Sequence, residues 1–486
     1  DWRRLQRPYG GVVVTAMNEA GINRRGPLAG AGEWTHLYAD ASNTVCSNDE
    51  LVEGPLQLQW FGRPGPQQMV DRHHRTVAPL CKEGRLFIPG DNRVIAVDAY
   101  NGASLWNVEV PNMRRVGVYR DCGSMAAASD MLYVASGSRC IGLDVETGRQ
   151  QQEFFAADPD ADQARDWGYV AVDGDWLFGS ATRPGGSRRG HSLDAIRDGL
   201  YWDAHPLVCS LELFLIQRKT GRRVWTYRPS AGAMVNSTFT LGDGKIYFIE
   251  SDNLATLDEP TGRSTLQDLL KQGCRLVALD CRDGSIAWSR SLALGNVQHV
   301  LYVAYARGRV VVVGSYNSGN DTDRDSVMYD IHVVDAQNGR VMWSKTQRQD
   351  AKIGGSHGEQ DHHPVIVGNL LYCEPMAYDL ETGSPVTNWK WKRGHRRGCG
   401  QVSASRRSLF FRHSHPTLFD LTTQTYEKIT TTTRPGCWIN SIPAGGLLLI
   451  PEASSGCTCD YAIQTSLAFR PVRDGSRKRT HRAGSK

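Results

Sequence analysis

The sequence of 486 residues lacks the features that would assign a function directly. It has no run of about 18 apolar residues, so no segment is expected to span a membrane. It lacks nucleophile-elbow, Walker and His-Glu-x-x-His motifs, so nothing in it indicates a hydrolase or a nucleotide-binding enzyme. It also lacks Cys-x-x-Cys-His, which excludes covalent attachment of haem c through that motif.

The net charge of the chain is small, +5 at pH 7. Much of the positive excess lies in Arg473–Lys486, which has the composition of a solvated tail. Binding of nucleic acid would need Lys and Arg clustered with aromatic residues inside the folded part. That pattern is absent, so nucleic acid is not expected as a partner.

One sequence unit recurs along the chain and predicts the architecture. It contains an apolar strand, a following strand that ends in Asp-x-x-x-Gly, and a last strand with Trp four residues after the Gly, which would be the second, third and fourth strands of a four-stranded sheet. The clearest copy is Gly84–Val110, with Asp98, Gly102 and Trp106. Further copies of the turn end at Gly148, Gly221, Gly284, Gly339 and Gly383. The Trp recurs as Trp225, Trp288 and Trp343.

Each feature of the unit has a physical reason. The Gly supplies the positive φ that a tight hairpin needs. Alternating apolar residues give each sheet a face to bury, and Trp is large enough to dock one four-stranded sheet, or blade, onto the next. A single blade cannot bury both faces, so blades stack radially until a ring closes. The sequence therefore predicts an all-β propeller with four-stranded antiparallel blades.

The number of second strands predicts eight blades. Second strands are expected near Leu86, Leu132, Trp176, Ile246, Val310, Leu370, Leu409 and Leu447. The last copy lacks the Gly turn and the Trp-bearing strand. We expect Pro55–Trp60 to supply that strand, so that the N- and C-terminal segments pair and close the ring without an exposed edge.

We expect the propeller to occupy residues 32–471, between an extension over 1–31 and a basic disordered tail over 472–486. The segment Leu5–Thr15 (LQRPYGGVVVT) resembles a piece near the end of class I methyltransferase domains, which would make the extension a remnant of a preceding domain. The alternative is a turn before an isolated strand. The insertion Asn253–Gly273 is expected to be partly helical.

These repeats resemble those of the pyrroloquinoline-quinone-like propeller superfamily. It includes quinoprotein alcohol dehydrogenases and the propeller lipoprotein of the bacterial outer-membrane assembly machinery. Gly32–Asp49 (GEWTHLYADASNTVCSND) is similar to the segment that precedes the first blade of these proteins. The resemblance covers roughly Trp34–Pro471, and Arg434–Phe469 is also similar to uncharacterised planctomycete-type bacterial proteins. It implies a periplasmic or extracellular location.

Ligands of propellers usually bind in the funnel around the axis, and several candidate residues are expected there. Cys122, Cys399 and Cys437 each lie ten residues before matching positions of their second strands, so each should begin an innermost strand at the mouth of the funnel. The same face is expected to contain Arg75, His299, His362, His363 and Trp438.

Two interpretations of this Cys/His-rich face stay open. Thiolate and imidazole ligands could form a metal or cofactor site. The cysteines could instead form disulfides between neighbouring blades, such as Cys399 with Cys437, among polar loop residues.

A second candidate metal site lies in a loop, where Asp321, Asp323 and Asp325 alternate as possible Ca²⁺ ligands. The loop has neither the central Gly nor the distal Glu of a calcium loop, so a solvated acidic loop is the alternative.

The resemblance also implies a quinone on the axis, stacked between a Trp and two adjacent cysteines, with Ca²⁺ nearby. No Cys-Cys pair exists in the sequence, so pyrroloquinoline quinone (PQQ) is not expected, and Ca²⁺ or a transition metal remains the candidate cofactor. The sequence favours a non-catalytic propeller that binds a protein or a small ligand at the Cys/His-rich face. The alternative is a quinone- or metal-dependent oxidoreductase that uses the same funnel.

Overall fold

The computed structural model describes most of the chain as antiparallel β-sheet. The described residues are 6–15, 21–70, 74–157, 163–190, 205–318, 327–348, 362–391, 393, 400–433, 435–451 and 463–472. Within these ranges, no helix has the length and apolar character needed to cross a membrane.

The N-terminal part forms a small hairpin and one strand that joins a distant sheet. The hairpin pairs β1 (Val12–Val14) with β2 (Ile22–Arg24). It follows a turn in the predicted extension. The next strand is β3 (Leu56–Gly62).

The first two sheets have four strands each, in sequential order. The first sheet contains β4 (Leu80–Lys82), β5 (Arg85–Gly90), β6 (Arg93–Asp98) and β7 (Ser104–Glu109). The second sheet contains β8 (Met125–Ala127), β9 (Met131–Ser136), β10 (Arg139–Asp144) and β11 (Gln150–Phe155).

The third and fourth sheets are joined, because Cys209 of the third pairs with Val235 of the fourth. The third sheet contains β12 (Asp166–Asp173), β13 (Trp176–Thr182), β14 (Leu207–Gln217) and β15 (Arg223–Tyr227). The fourth sheet contains β16 (Met234–Val235), β17 (Thr240–Gly242), β18 (Lys245–Ser251), β20 (Cys274–Asp280) and β21 (Ile286–Ser291). The short strand β19 (Arg263–Ser264) pairs with β14.

The remaining sheets repeat the sequential order, except the last. The fifth sheet contains β22 (Leu301–Ala306), β23 (Arg309–Asn317), β24 (Val327–Asp335) and β25 (Val341–Arg348). The sixth contains β26 (Val365–Val367), β27 (Leu370–Cys373) and β28 (Met376–Asp379). The seventh contains β29 (Ser403–Ala404), β30 (Ser408–His413), β31 (His415–Asp420) and β32 (Tyr426–Lys428). The last sheet contains β33 (Ile442–Ala444), β34 (Leu447–Ile450) and β35 (Ser466–Pro471).

The fourth strand of the last sheet comes from the N-terminal part of the chain. β3 pairs antiparallel with β35, from Leu56 opposite Pro471 to Gly62 opposite Ser466. The predicted pairing of Pro55–Trp60 with the C-terminal segment is therefore present. All eight predicted second strands are also present, as β5, β9, β13, β18, β23, β27, β30 and β34.

Short helices lie between strands. The 3-10 helices cover Val118–Arg120, Asn236–Thr238 and Leu254–Leu257. The predicted helical part of the Asn253–Gly273 insertion is α1 (Leu266–Leu270), which is capped because the Thr265 hydroxyl accepts a bond from the backbone N–H of Asp268.

The segment Gly32–Asp49, which we call the encircling segment, contacts the innermost strand of every sheet in turn. Trp34 forms a β-bridge with Cys81 of β4, and Ala41 and Ser42 accept backbone bonds from β17 and β22. Eight residues of the segment accept a hydrogen bond from a backbone N–H of the sheets. In chain order, with the donor in parentheses, they are Gly32 (Gly445), Trp34 (Cys81), Thr35 (Ala127), the His36 ring (Val172), Ala41 (Leu241), Ser42 (Tyr305), Thr44 (Ile366) and Val45 (Ala404). These donors lie at or next to the ends of the innermost strands. The segment therefore covers the side of the molecule where those strands end.

Candidate functional site

The side opposite the encircling segment, where the innermost strands begin, is called the axial face here. Arg75 precedes β4, Cys122 precedes β8, and His299 precedes β22. His362 and His363 precede β26, and Cys437 and Trp438 precede β33. The described candidate residues thus precede the innermost strands of their sheets in the chain. Cys399 and the loop Asp321, Asp323 and Asp325 fall outside the described residues.

Two arginines and two aromatic rings pack together on the axial face and form what we call the arginine–aromatic cluster. The guanidinium of Arg75 lies 4.7 Å from the ring centroid of Tyr119 and 5.8 Å from that of Trp438. The guanidinium of Arg120 lies 4.5 Å from the Tyr119 ring, and the Tyr119 and Trp438 centroids are 5.2 Å apart. All four residues are buried. Cation–π contacts gain strength when water is excluded, to about 2 kcal/mol each.

Within the described part of the chain, several buried hydrogen-bond donors in and beside the cluster have no partner. These are Arg120 Nε, Trp438 Nε1 and, two residues further on, Asn440 Nδ2. Two other buried polar atoms without a hydrogen-bond partner, on Asp121 and His363, face other groups: Asp121 lies 3.5 Å from Arg115, and the His363 ring is covered by aromatic rings. A buried donor without an acceptor costs about 1–3 kcal/mol. The cluster is thus suited to a ligand that accepts hydrogen bonds.

Positive charge is crowded beside the cluster. The pKa of Arg188 is lowered to about 10, because burial disfavours its charge and because Arg263 and Arg120 lie close to it. Bringing a negative charge to this place would relieve the repulsion between the guanidinium groups.

A second group of charged residues surrounds Glu374 at the end of β27. His362 Nδ1 lies 3.1 Å and Arg393 Nε 3.5 Å from its carboxylate oxygens, and Trp391 Nε1 donates to it at 3.3 Å. Burial acts to raise the pKa of Glu374, but Arg393 and His362 outweigh burial and lower it to about 2. The carboxylate is therefore ionised throughout the physiological pH range.

The two groups are connected through Gly400. Arg393 donates two bonds to the Gly400 carbonyl, at 3.2 and 3.0 Å. A Cβ at Gly400 would lie 2.7 Å from the Trp438 carbonyl oxygen, and its φ of +114° also favours glycine. Glycine here lets the two groups of the axial face approach each other.

His363 belongs to the core around the axis. Its ring stacks on Tyr38 of the encircling segment at 4.1 Å and lies 4.5 Å from Tyr302. Burial lowers the pKa of His363 to about 3, so the ring is neutral, and its Nδ1 bonds to the Pro364 carbonyl at 2.8 Å. His299 is also buried, and its backbone N–H donates to Ser315.

Cys122 is held in a buried polar network. Asn236 Nδ2 contacts the Cys122 sulfur at 3.1 Å and donates to Asp121 at 2.6 Å, and Asp121 pairs with Arg115. Burial raises the pKa of Cys122 well above that of a free thiol, so the sulfur stays protonated. A protonated thiol is a poor metal ligand. Cys437 likewise contacts Arg412 at 3.4 Å.

Neither interpretation of the cysteines is supported by the described residues. Among the described cysteines other than Cys437, all eight are free thiols, and the predicted disulfide between Cys399 and Cys437 stays a prediction, because Cys399 lies outside the described residues. Nor do three or more His, Cys, Asp or Glu side chains gather into a possible metal site anywhere in the described ranges. The cysteines fill the interior as small apolar residues do, which explains why their spacing follows the strands.

The space beside Cys122 does not fit a quinone cofactor. The cavity lined by Cys122, Tyr38, Tyr169 and Asn236 has a volume of about 20 Å³. That is room for about one water molecule, whereas a fused tricyclic quinone needs many times more. The stacked rings of Tyr38, His363 and Tyr302 fill the adjacent core.

Some residues of the site were not predicted from the sequence. In the sequence, Tyr119, Arg120 and Asp121 directly precede Cys122, and Glu374 follows Cys373 at the end of a second strand. These positions could have identified the four residues as candidates. Arg393 lies in the connection after the sixth sheet and has no such signal.

The repeated sheets and their Asp-x-x-x-Gly turns define a β-propeller of the pyrroloquinoline-quinone-like type. The sequence profile of the family described as outer membrane protein assembly factor BamB matches residues 67–166 and 210–426. Because these matches span more than half of the chain, the chain belongs to this family. No curated protein matches the sequence.

Solved structures of similar fold include two dehydrogenases. The quinohemoprotein alcohol dehydrogenase from Comamonas testosteroni is 14% identical, with a TM-score of 0.56, over 92% of this chain and 82% of that one. A europium-containing methanol dehydrogenase is 13% identical, with a TM-score of 0.51, over 83% of this chain and 88% of that one. At such identity the likeness shows the fold alone.

Proposed function

We propose that this chain is a closed, eight-bladed propeller that binds a small oxyanion, such as a carboxylate or phosphate group, at the arginine–aromatic cluster without converting it chemically. The observation that carries the proposal is the set of buried, unpaired donors Arg120 Nε, Trp438 Nε1 and Asn440 Nδ2. An oxyanion supplies several acceptor sites and negative charge together, which matches both the donors and the crowded guanidinium groups.

The closed ring is supported by the encircling segment and by β3. The segment reaches the innermost strands of successive sheets in chain order and returns to the last sheet, where Asp49 accepts a bond from Gly446. β3 gives that sheet a fourth strand. Since the segment covers one end of the axis, a ligand would enter from the axial face.

The alternative functions have less support. The small cavity beside Cys122 and the lack of adjacent cysteines argue against a quinone-dependent oxidoreductase. A protein partner is the second candidate, because the family description names an assembly factor. A periplasmic or extracellular location also rests on that family.

The Arg120→Met variant tests the proposal. We expect wild-type protein to bind sulfate at low ionic strength in isothermal titration calorimetry, and Arg120→Met to bind at least tenfold more weakly, which is about 1.4 kcal/mol. The methionine keeps much of the apolar side chain but removes the charge and the donors. Asn440→Asp should also weaken binding, since it replaces an unpaired donor with a negative charge.

The matched control is Arg282→Met, which removes an arginine that is 87% exposed in a turn. It should bind sulfate as the wild type does, and melting curves of all variants should confirm that they fold. Equal sulfate affinity in folded Arg120→Met and wild-type protein would contradict the proposal.

A further inference from the structure

A cavity of about 440 Å³ lies between the last sheet and the first, at their outer strands. The connection after β3 lines one side of it through Arg63, Pro64 and Gln68, and residues of β6 and β7 line the other side. Its volume is in the range of roughly 300–1,000 Å³ that small-molecule sites occupy. The arginine–aromatic cluster, by contrast, precedes innermost strands, so the cavity is a separate place in the fold.

The floor of the cavity is apolar and held by the contact between the two sheets. Ile95 and Val97 of β6 line the cavity and are buried. Gly102, in the turn after β6, also lines it, and a Cβ at this position would lie 2.6 Å from the Trp60 ring of β3. The packing of Trp60 on this turn fixes the floor in place, and the floor offers an apolar surface to a ligand.

The wall of the cavity contains two carboxamides whose orientation is fixed by their neighbours. Arg93 donates to the side-chain oxygen of Asn107 at 2.9 Å, and Asn107 Nδ2 donates to Gln68 Oε1 at 2.7 Å. Because a guanidinium can only donate, Arg93 determines which end of the Asn107 amide is the oxygen. Both carboxamide oxygens are therefore engaged, and no described residue accepts a hydrogen bond from Gln68 Nε2.

The wall also carries a positive charge that the described residues do not balance. Arg93 is paired with Glu109 at 3.0 Å. Arg63 is exposed, lines the cavity and forms no ion pair within the described ranges. Gln68 is held in place through its backbone, since its carbonyl accepts the N–H of Asp91 at 2.8 Å. A ligand in the cavity therefore meets a guanidinium and an oriented amide N–H above an apolar floor.

We propose that this cavity binds a small organic acid with an apolar body. The carboxylate accepts hydrogen bonds from Arg63 and Gln68, because it supplies both the acceptors and the negative charge that the wall lacks. The apolar body lies on Ile95 and Val97, where contact removes its surface from water. A neutral sugar fits less well, because its hydroxyl hydrogens need acceptors and both carboxamide oxygens are engaged. The site does not depend on the proposed oxyanion site at the axial face.

Saturation-transfer NMR with hexanoate as the probe tests the site. We expect the wild type to bind hexanoate saturably, and to bind acetate about tenfold or more weakly, because acetate has almost no apolar body. Binding of 1-hexanol should also be weaker, because it lacks the charge. Arg63→Met should weaken hexanoate binding by about fivefold or more. Gln68→Asn should weaken it too, since asparagine tolerates the φ of +61° at this position but its shorter side chain withdraws the amide N–H.

Control variants keep this site apart from the axial face. Arg120→Met should bind hexanoate as the wild type does, Arg63→Met should bind sulfate as the wild type does, and Arg282→Met, in an exposed turn, should change neither affinity. Three results would overturn the inference and leave the oxyanion proposal standing: no saturable hexanoate binding by the wild type, equal affinity for hexanoate and 1-hexanol, or unchanged hexanoate affinity in folded Arg63→Met and Gln68→Asn. Hexanoate binding without sulfate binding would overturn the oxyanion proposal alone.

Discussion

Replacing Trp106 by alanine is expected to destabilise the protein by about 3–5 kcal/mol. Trp106 on β7 is buried at 8% exposure, and its Nε1 donates to the Val145 carbonyl of the second sheet at 3.0 Å. Its ring covers the turn at Gly148, where a Cβ would lie 2.7 Å from the indole. The variant therefore loses a large ring and leaves an unpaired carbonyl between two sheets. Denaturant unfolding measures the effect.

The same contact is repeated around the molecule, which makes Trp106 representative. A Trp of one sheet covers the turn glycine of the next and donates its indole N–H to a carbonyl beside that turn. The pairs are Trp60 with Gly102, Trp106 with Gly148, Trp225 with Gly284, Trp288 with Gly339, and Trp343 with Gly383.

A double-mutant cycle and a control variant make the test specific. Gly148→Ala should cost less in the Trp106→Ala background than alone, because the indole that its Cβ would strike is gone. Trp176→Ala is the control, since this Trp is 37% exposed at the start of β13. If Trp106→Ala and Trp176→Ala were equally stable, the docking role of Trp106 would be wrong.

The fold was predictable where the determinants are local. The turn glycines, the strand alternation and the Trp spacing each act within about ten residues, and they gave every second strand. At the degenerate copy the turn survives without glycine, because Gln424 itself adopts a φ of +53°. The sixth sheet has three described strands, and Trp389 and Trp391 pack there against Phe419.

The site was predictable only in part, because its contacts join residues that are far apart in sequence. The positions of Arg75, Trp438 and His362 followed from the blade alignment, but the partnership of Trp438 with Tyr119, more than 300 positions away, did not. The metal and disulfide interpretations of the cysteines had no support in the described structure. The sequence could not separate them from core packing, because a Cys at a strand end has the same spacing whether it binds a metal or fills the core. The role of the encircling segment was also missed, because it pairs with strands from Cys81 to Gly446.

Removing the Asp49 carboxylate should destabilise the protein by about 4 kcal/mol or more. Asp49 ends the encircling segment, is fully buried, and accepts backbone bonds from Gly32, Leu51, Val52 and Gly446 at 2.8–2.9 Å. Gly32 begins the segment and Gly446 lies in the turn between β33 and β34, so one carboxylate joins both ends of the segment to the last sheet. Asp49→Ala leaves four buried N–H groups without an acceptor, each costing about 1–3 kcal/mol before the structure relaxes.

A graded pair of variants separates this role from a general effect of mutation. Asp49→Asn keeps one carbonyl oxygen and the size of the side chain, so it should lose about half as much stability as Asp49→Ala in denaturant unfolding. Asp175→Ala, which removes a half-exposed carboxylate paired with Lys219, should leave stability unchanged. Because the segment contacts the innermost strand of every sheet, loosening its ends should also lower the unfolding cooperativity. A fully cooperative Asp49→Ala protein of wild-type stability would show that the sheets hold together without the segment.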